Sequence, residues 1–322
     1  MLPWVVALLG AVATVVTVVM SGGGRQPMTS VPLTRLELTL PPNLELYTSA
    51  RTIALSPDGR LLTFIGVLNG SRQIYLRRLD QFEATPLRGT DSVSTLYSIL
   101  WCYGAKDIAE DGKTIAINSK ATETAIDYVQ ALYNEAMDPA VLSWDNAANN
   151  QWLNSGKGSW IHNPISHYVV AKQEKLAVAE LTGFHPSPAG PNGRHTVGVP
   201  RSLGIWKFSK NVDVARDFLK WFFEPVQYHE WIMSGDNYNH PTWRDMENHP
   251  VWDVDKKYKP LKAAAKYSHL YGWPAPPDEK IQLITNSYII PNMFARVVTN
   301  ANKPKEAMLW AETEIKRAFE RS

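Results

Sequence analysis

Residues 111–161 read DGKTIAINSKATETAIDYVQALYNEAMDPAVLSWDNAANNQWLNSGKGSWI, and no other stretch constrains the architecture as much. Asp111-Gly112 is a turn pair, and Thr114 to Ile117 is apolar and β-prone, so a short strand is expected there. Ser119 is placed to cap a helix, with Glu123 supporting its first turns. Ala125, Ile126, Val129, Leu132, Tyr133 and Ala136 then recur at helical spacing, which predicts one buried face. Pro139 closes this helix, because it lacks an amide donor and disfavours helix at the residue before it. Asp145 can cap a second helix that carries Trp152 and Leu153 inward and stops at Gly156. A strand bounded by Gly156 and Gly158 is expected to run on to Ile161.

Composition bounds what such a chain can do. At 322 residues with 44% hydrophobic content, there is enough apolar material for a sizeable core. The net charge of +2 is spread evenly: residues 1–93 hold 8 Lys and Arg against 6 acidic residues, and the remainder 25 against 25. No basic face is implied, so no nucleic-acid partner is expected. The single cysteine, Cys102, excludes an internal disulfide and a cysteine metal cluster. The aromatic bias is more telling. Eleven of 12 Trp and all eight His lie after residue 100, which marks a seam in composition.

These pieces, taken in order, resemble the extracellular solute-binding proteins of bacterial ABC importers, a family with sugar-binding members. The resemblance is carried by the turn Asp111-Gly112-Lys113, the strand end Asn118-Ser119 and the W-x-x-x-x-N-N segment from Trp144 to Asn150. Gly156-Lys157-Gly158 and the helix start Ser209-Lys210-Asn211 continue it. It runs from Ser94 to Ser322, with most of the family's first lobe absent. It implies a partial α/β fold of the type II periplasmic-binding-protein class, rich in helix toward the C-terminus. Extracytoplasmic capture of a sugar or polyol, for delivery to ABC permease subunits, is the function it implies.

Upstream lie two other features. Trp4 to Met20 is uncharged and almost wholly apolar, which favours an uncleaved transmembrane anchor over 1–21, with a cleaved signal or a buried helix as alternatives. Residues 22–50 read as linker, rich in Gly, Pro and Ser at their start. In 51–93, Ile53 to Leu55, Leu61 to Val67 and Gln73 to Arg77 alternate as strands, with turns at Ser56-Pro57-Asp58-Gly59 and Asn69-Gly70. This stretch resembles one blade of a periplasmic β-propeller, so a short β-meander is expected. It also suggests an alternative reading, a propeller-type sensor or interaction module with the C-terminal part as scaffold.

Sugars are held by flat apolar faces against their C–H side and by planar polar groups against their hydroxyls. On that ground, and on the family order, the candidate ligand residues are Trp144 with Asp145 and Asn149, then His162 and Asn163. Arg201 and Ser202 stand where relatives carry a Gly-rich turn, and Tyr238, Trp243 and Trp273 lie in aromatic loops. The plainer reading of each aromatic is packing, and Trp152, Trp221 and Trp310 are assigned to the core. Catalytic patterns fail. His229-Glu230 opens like a zinc-protease helix, but Met233 stands where the second histidine belongs. His240, His249 and His269 lack metal-ligand spacing, and there is neither a phosphate loop nor a nucleophile elbow. A binding protein without cofactor or metal is expected, not an enzyme.

Overall fold

The long helix expected after Ser119 is present, and its cap explains where it starts. Ser119 is extended (φ −140°, ψ 161°) and its hydroxyl accepts from the amide of Thr122. The helix runs over Lys120–Ala136, burying Thr122, Ala125, Ile126 and Val129, while Leu132 and Tyr133 are half-buried and Ala136 is exposed. Asp138 then caps a 3-10 turn, Pro139–Ser143, accepting from the amide of Ala140.

The structure, a computed structural model, describes residues 40, 44–48, 53–56, 59–68, 71–79, 84–86, 90–144, 147–236, 238–241 and 243–320. Met1–Leu40 and Pro41–Ser322 are separate units. The strands of the second unit are β1 (Leu44–Leu46), β2 (Ile53–Leu55), β3 (Leu61–Leu68), β4 (Ser71–Arg78), β5 (Ala84–Pro86), β6 (Thr196–Val197) and β7 (Ser268–His269). Its α-helices are α1 (Thr90–Cys102), α2 (Lys120–Ala136), α3 (Ala148–Asn154), α4 (Ser166–Gln173), α5 (Val178–Leu181), α6 (Val212–Phe222), α7 (Pro225–Ser234), α8 (Glu279–Asn286), α9 (Ile289–Val298) and α10 (Pro304–Glu320).

Strands β1 to β5 form one antiparallel sheet. β3 pairs with β4 along its length, β5 closes one side, and β1 and β2 share the other edge of β3 end to end. The turn from Ser56 closes with the Gly59 amide on the Ser56 carbonyl, and Gly59 takes φ +69°, a left-handed conformation open to glycine. Phe64 and Tyr75, opposite each other, stack at 5.4 Å. β1 lies within the stretch read as linker. The Asn69-Gly70 turn and the apolar Trp4–Met20 stretch lie outside the described residues. Among the described residues, no helix is long and apolar enough to cross a membrane.

Two apolar cores hold the remaining elements. The larger joins α1, α2, α8, α9 and α10, with Tyr97, Leu100 and Trp101 of α1 fully enclosed. α9 is buried at nine of its ten positions, all but Arg296, whose guanidinium lies 4.2 Å from the Trp310 ring centre. The smaller core gathers α4, α5 and α7 with the 3-10 turns Pro250–Asp253 and Lys256–Tyr267, around Tyr168, Tyr228, Trp252 and Tyr258. β6 and β7 pair in parallel, and the Ser98 hydroxyl of α1 accepts from the Val197 amide.

Several expectations fail for physical reasons. Thr114–Ile117 is no strand: its pairing stops at one bridge, Ile108 to Ile115, with the Ala109 amide on the Thr114 carbonyl and the Ala116 amide on the Asp107 carbonyl. Gly158–Ile161 likewise lacks a paired neighbour. Among the described residues after 94, only β6 and β7 pair as strands, and helix predominates, in keeping with the helix-rich C-terminal part expected. Pro260 sits inside Lys256–Tyr267, which adopts 3-10 geometry. Residues 278–299 divide into α8 and α9 at Tyr288 (φ +53°), and Pro291 sits in the first turn of α9. Trp221 is 49% exposed instead of core.

Candidate functional site

The site is built by a chain reversal after α3. The helix ends at Ser155, Gly156 turns back with φ +73°, and the Trp152 indole then lies on the backbone at Gly158. A Cβ at Gly158 would overlap that ring, so the close approach requires glycine. The reversal brings Asn163 back beside α3.

Asn163 thereby enters a polar cluster. Its Nδ2 donates to Asn150 Oδ1 (2.5 Å) and to Ser166 Oγ (3.0 Å), and its Oδ1 accepts from Asn149 Nδ2 (3.2 Å). Asn150 Nδ2 also donates to Ser166 Oγ at 3.0 Å. One residue away, His162 is clasped by hydroxyls on both ring nitrogens, Thr95 Oγ1 at 2.8 Å from Nδ1 and Ser187 Oγ at 3.1 Å from Nε2. Burial lowers the pKa of His162 and holds the ring neutral at pH 7. The Trp160 ring, 53% exposed, lies 6.4 Å from His162, and Trp144 packs at 5.5 Å from Trp152, whose Nε1 donates to Asp138.

Of the residues singled out from sequence, Asn149 and Asn163 are hydrogen-bonded to each other, whereas Trp144 packs on Trp152 and His162 lies between Thr95 and Ser187. Asp145 lies outside the described residues. The others stand in different settings. Arg201 and Ser202 are exposed, and Arg201 Nε donates to Asn239, next to the exposed Tyr238. Trp243 stacks on Tyr228 at 4.6 Å against the smaller core. Trp273 packs on the larger core, its ring stacked on His269 at 4.0 Å and on His195 at 4.8 Å. Sequence reasoning misses Asn150, Ser166, Thr95, Ser187 and Trp160. Asn150 and Trp160 are accessible to it as sequence neighbours of chosen residues. Thr95 and Ser187 are not, since they meet His162 across 67 and 25 residues of chain.

The arrangement offers neutral amides, an uncharged imidazole and indole faces, a set suited to a neutral polyhydroxyl compound. His229 and His249 touch at 2.8 Å, and among the described residues no group of three metal-ligating side chains occurs.

Residues 84–228 match the family model described as bacterial extracellular solute-binding protein. Over much of its length the chain has the fold of sugar-binding members of that class. The solute-binding fold aligns with the maltose-bound MalE3 of T. maritima at a TM-score of 0.56 and 17% identity, covering 70% of this chain and 56% of that one. A sugar transporter from Arthrobacter chlorophenolicus A6, with bound laminaribiose, gives 0.59 at 12% identity, covering 71% and 57%. The GacH receptor of Streptomyces glaucescens, solved unliganded and with acarbose, gives 0.57 at 19%, covering 72% and 58%. A probable ABC transporter-binding protein of Deinococcus radiodurans is 26% identical over 125 residues, 37% of this chain and 29% of that one. The chain therefore spans less than a third of that curated relative and a little over half of the solved ones. These relatives are substrate-binding proteins, not enzymes.

Proposed function

We propose that the chain binds an extracytoplasmic sugar or oligosaccharide through the cluster around Asn163 and hands it to the permease of an ABC importer. The observation that carries this reading is the hydrogen-bonded cluster of Asn149, Asn150, Asn163 and Ser166, with the exposed Trp160 and the clasped His162 in the chain segment that leads into it. The solute-binding fold and the family match over 84–228 supply the class of ligand. Trp160 would take the C–H face of a pyranose, and the Asn149 and Asn163 amides its hydroxyls. The hydrogen bonds that join Asn149, Asn150, Asn163 and Ser166 run between neutral groups, which favours neutral sugars over acidic ones. The apolar Trp4–Met20 stretch would tether the chain to the membrane, with 94–322 as the binding portion and 51–93 as a blade-like appendage.

The test is a thermal melt and a tryptophan-fluorescence titration of the full chain against maltose, laminaribiose and a panel of polyols and small acids. A ligand that binds only the folded form raises the melting temperature as its concentration rises. The reading expects such a rise with a neutral sugar, with saturable quenching, and at least a roughly tenfold loss of affinity in Trp160→Ala. A sharp melt that no sugar moves would sink it.

A further inference from the structure

His195 and His269 meet where β6 and β7 come back to α1. His195 immediately precedes β6, and His269 is the second residue of β7, its carbonyl accepting from the Gly198 amide at 2.9 Å. The Cys102 thiol at the end of α1 accepts from the His195 amide at 3.3 Å. The two rings face each other, His195 Nδ1 lying 2.9 Å from His269 Nε2, and both stack on Trp273.

The partners fix the tautomers. His195 Nε2 lies 3.1 Å from the Asn192 carbonyl, which can only accept, so the hydrogen of His195 sits on Nε2. Nδ1 is then bare and accepts from His269 Nε2–H. One added proton is tolerated, and the face of Trp273 favours it. A second sets N–H against N–H and places two cations side by side. Nothing nearby offsets that repulsion. α1 presents the Cys102 thiol and the Trp101 ring, met edge-on by His269. The loop before β6 presents Arg194, a further cation, which donates to the Ser187 carbonyl and lies 5.6 Å from the Tyr267 ring. Beyond β7 stand Trp273 and Tyr271, the latter against Tyr97 of α1 at 5.2 Å. Among the described residues, no carboxylate pairs with either imidazole. Burial, and then the neighbouring His195, lower the pKa of His269.

We propose that the His195–His269 pair is an acid-opened latch, which in mildly acidic solution lets β6 part from β7 and frees the loop 186–195. Once parted, both rings titrate as ordinary histidines, near 6.5, so the open form takes up a proton that the closed form refuses. Closure is therefore fully favoured above about pH 6.5 and loses up to about tenfold per pH unit below it. The loop bears on the candidate site, because the Ser187 hydroxyl that holds His162 also donates to Thr196 Oγ1 of β6 at 3.4 Å. The latch does not depend on the sugar reading; an acid-weakened hold on sugar follows from the two together.

Hydrogen exchange of the full chain in non-ionic detergent, read by mass spectrometry from pH 7.5 to 5 and corrected for the intrinsic pH dependence of exchange, tests the latch. Protection in peptides spanning 186–199 and 266–273 is expected to fall below about pH 6.5 by up to about tenfold per unit, while α9 does not lose its own. His269→Gln keeps an amide donor for His195 Nδ1 and does not titrate, so the decline should vanish. The slope decides, not the level: a variant loosened at every pH still lacks the decline. His162 also touches Ser187, and His269→Gln leaves it in place, so a decline that persists in the variant overturns the proposal. Wild-type protection that is level across the range overturns it too.

Discussion

α9 and α6 are helices of ten and eleven residues, both strongly sided, yet α9 is buried at nine positions and α6 at none. Part of the difference lies in their own sequences, since α9 carries one charged residue in ten and α6 four in eleven, and part in their surroundings. α9 is surrounded by α1, α2, α8 and α10, whereas α6 meets α7 along one edge. An amphipathic pattern reports which side of a helix is suited to burial, not whether a partner stands there. Most of the stability of a helix comes from packing of that side, so these two should answer mutation very differently.

The largest contrast is expected between phenylalanines. Phe294→Ala removes a ring 2% exposed in α9 and should cost about 3–5 kcal/mol. Phe218→Ala in α6 should stay within about 0.5 kcal/mol. Urea unfolding of both variants decides it, and equal losses would show that α6 is covered.

A second effect comes from Asp107, buried in the larger core, where it accepts from the Tyr97 hydroxyl at 2.9 Å and from the Ile108 amide. Burial raises its carboxyl from the ordinary 3.8 to about 6, against the opposing pull of these hydrogen bonds. Between those two values the folded chain holds more protons than the unfolded one. Stability from this group is therefore full below about pH 4 and lost as pH rises through 6, roughly 3 kcal/mol in all. Unfolding measured from pH 4 to 7.5 should show that decline, and Asp107→Asn should flatten it. A variant that keeps the same slope would place the titrating group elsewhere.

The smallest effect sharpens the comparison at the helix starts. Ser119→Ala strips a formed cap from α2 and should cost about 1 kcal/mol. Asn211 makes no side-chain cap bond to α6, so Asn211→Ala should cost only a few tenths. Chemical denaturation of the two variants side by side distinguishes them.

What is legible in the sequence is local. The Ser119 cap, the helix it starts and the alternation in β3 and β4 each depend on a few neighbouring residues, and each is present. Strands after Ser94 are over-read, because β-prone runs such as Thr114–Ile117 become strands only where another strand lies alongside. The candidate site divides in the same way. Asn149 and Asn163 are accessible as planar polar groups on a family pattern, while the hydroxyls that hold His162 arrive from distant parts of the chain. Trp221 reads as core because its periodicity is right, and the packing that would enclose it is missing among the described residues.

The parallel pairing of β6 with β7 joins residues 196–197 to 268–269, so the chain leaves and returns at one place. Everything between is a closed excursion of about seventy residues, and doubling its length would add only about 0.6 kcal/mol of closure entropy. Insertions and deletions within it leave the registration of α1 against α9 untouched. Residues 228–258 of that excursion are tied to α4 and α5 in the smaller core, so α6, with nothing buried, is the piece of it most open to replacement.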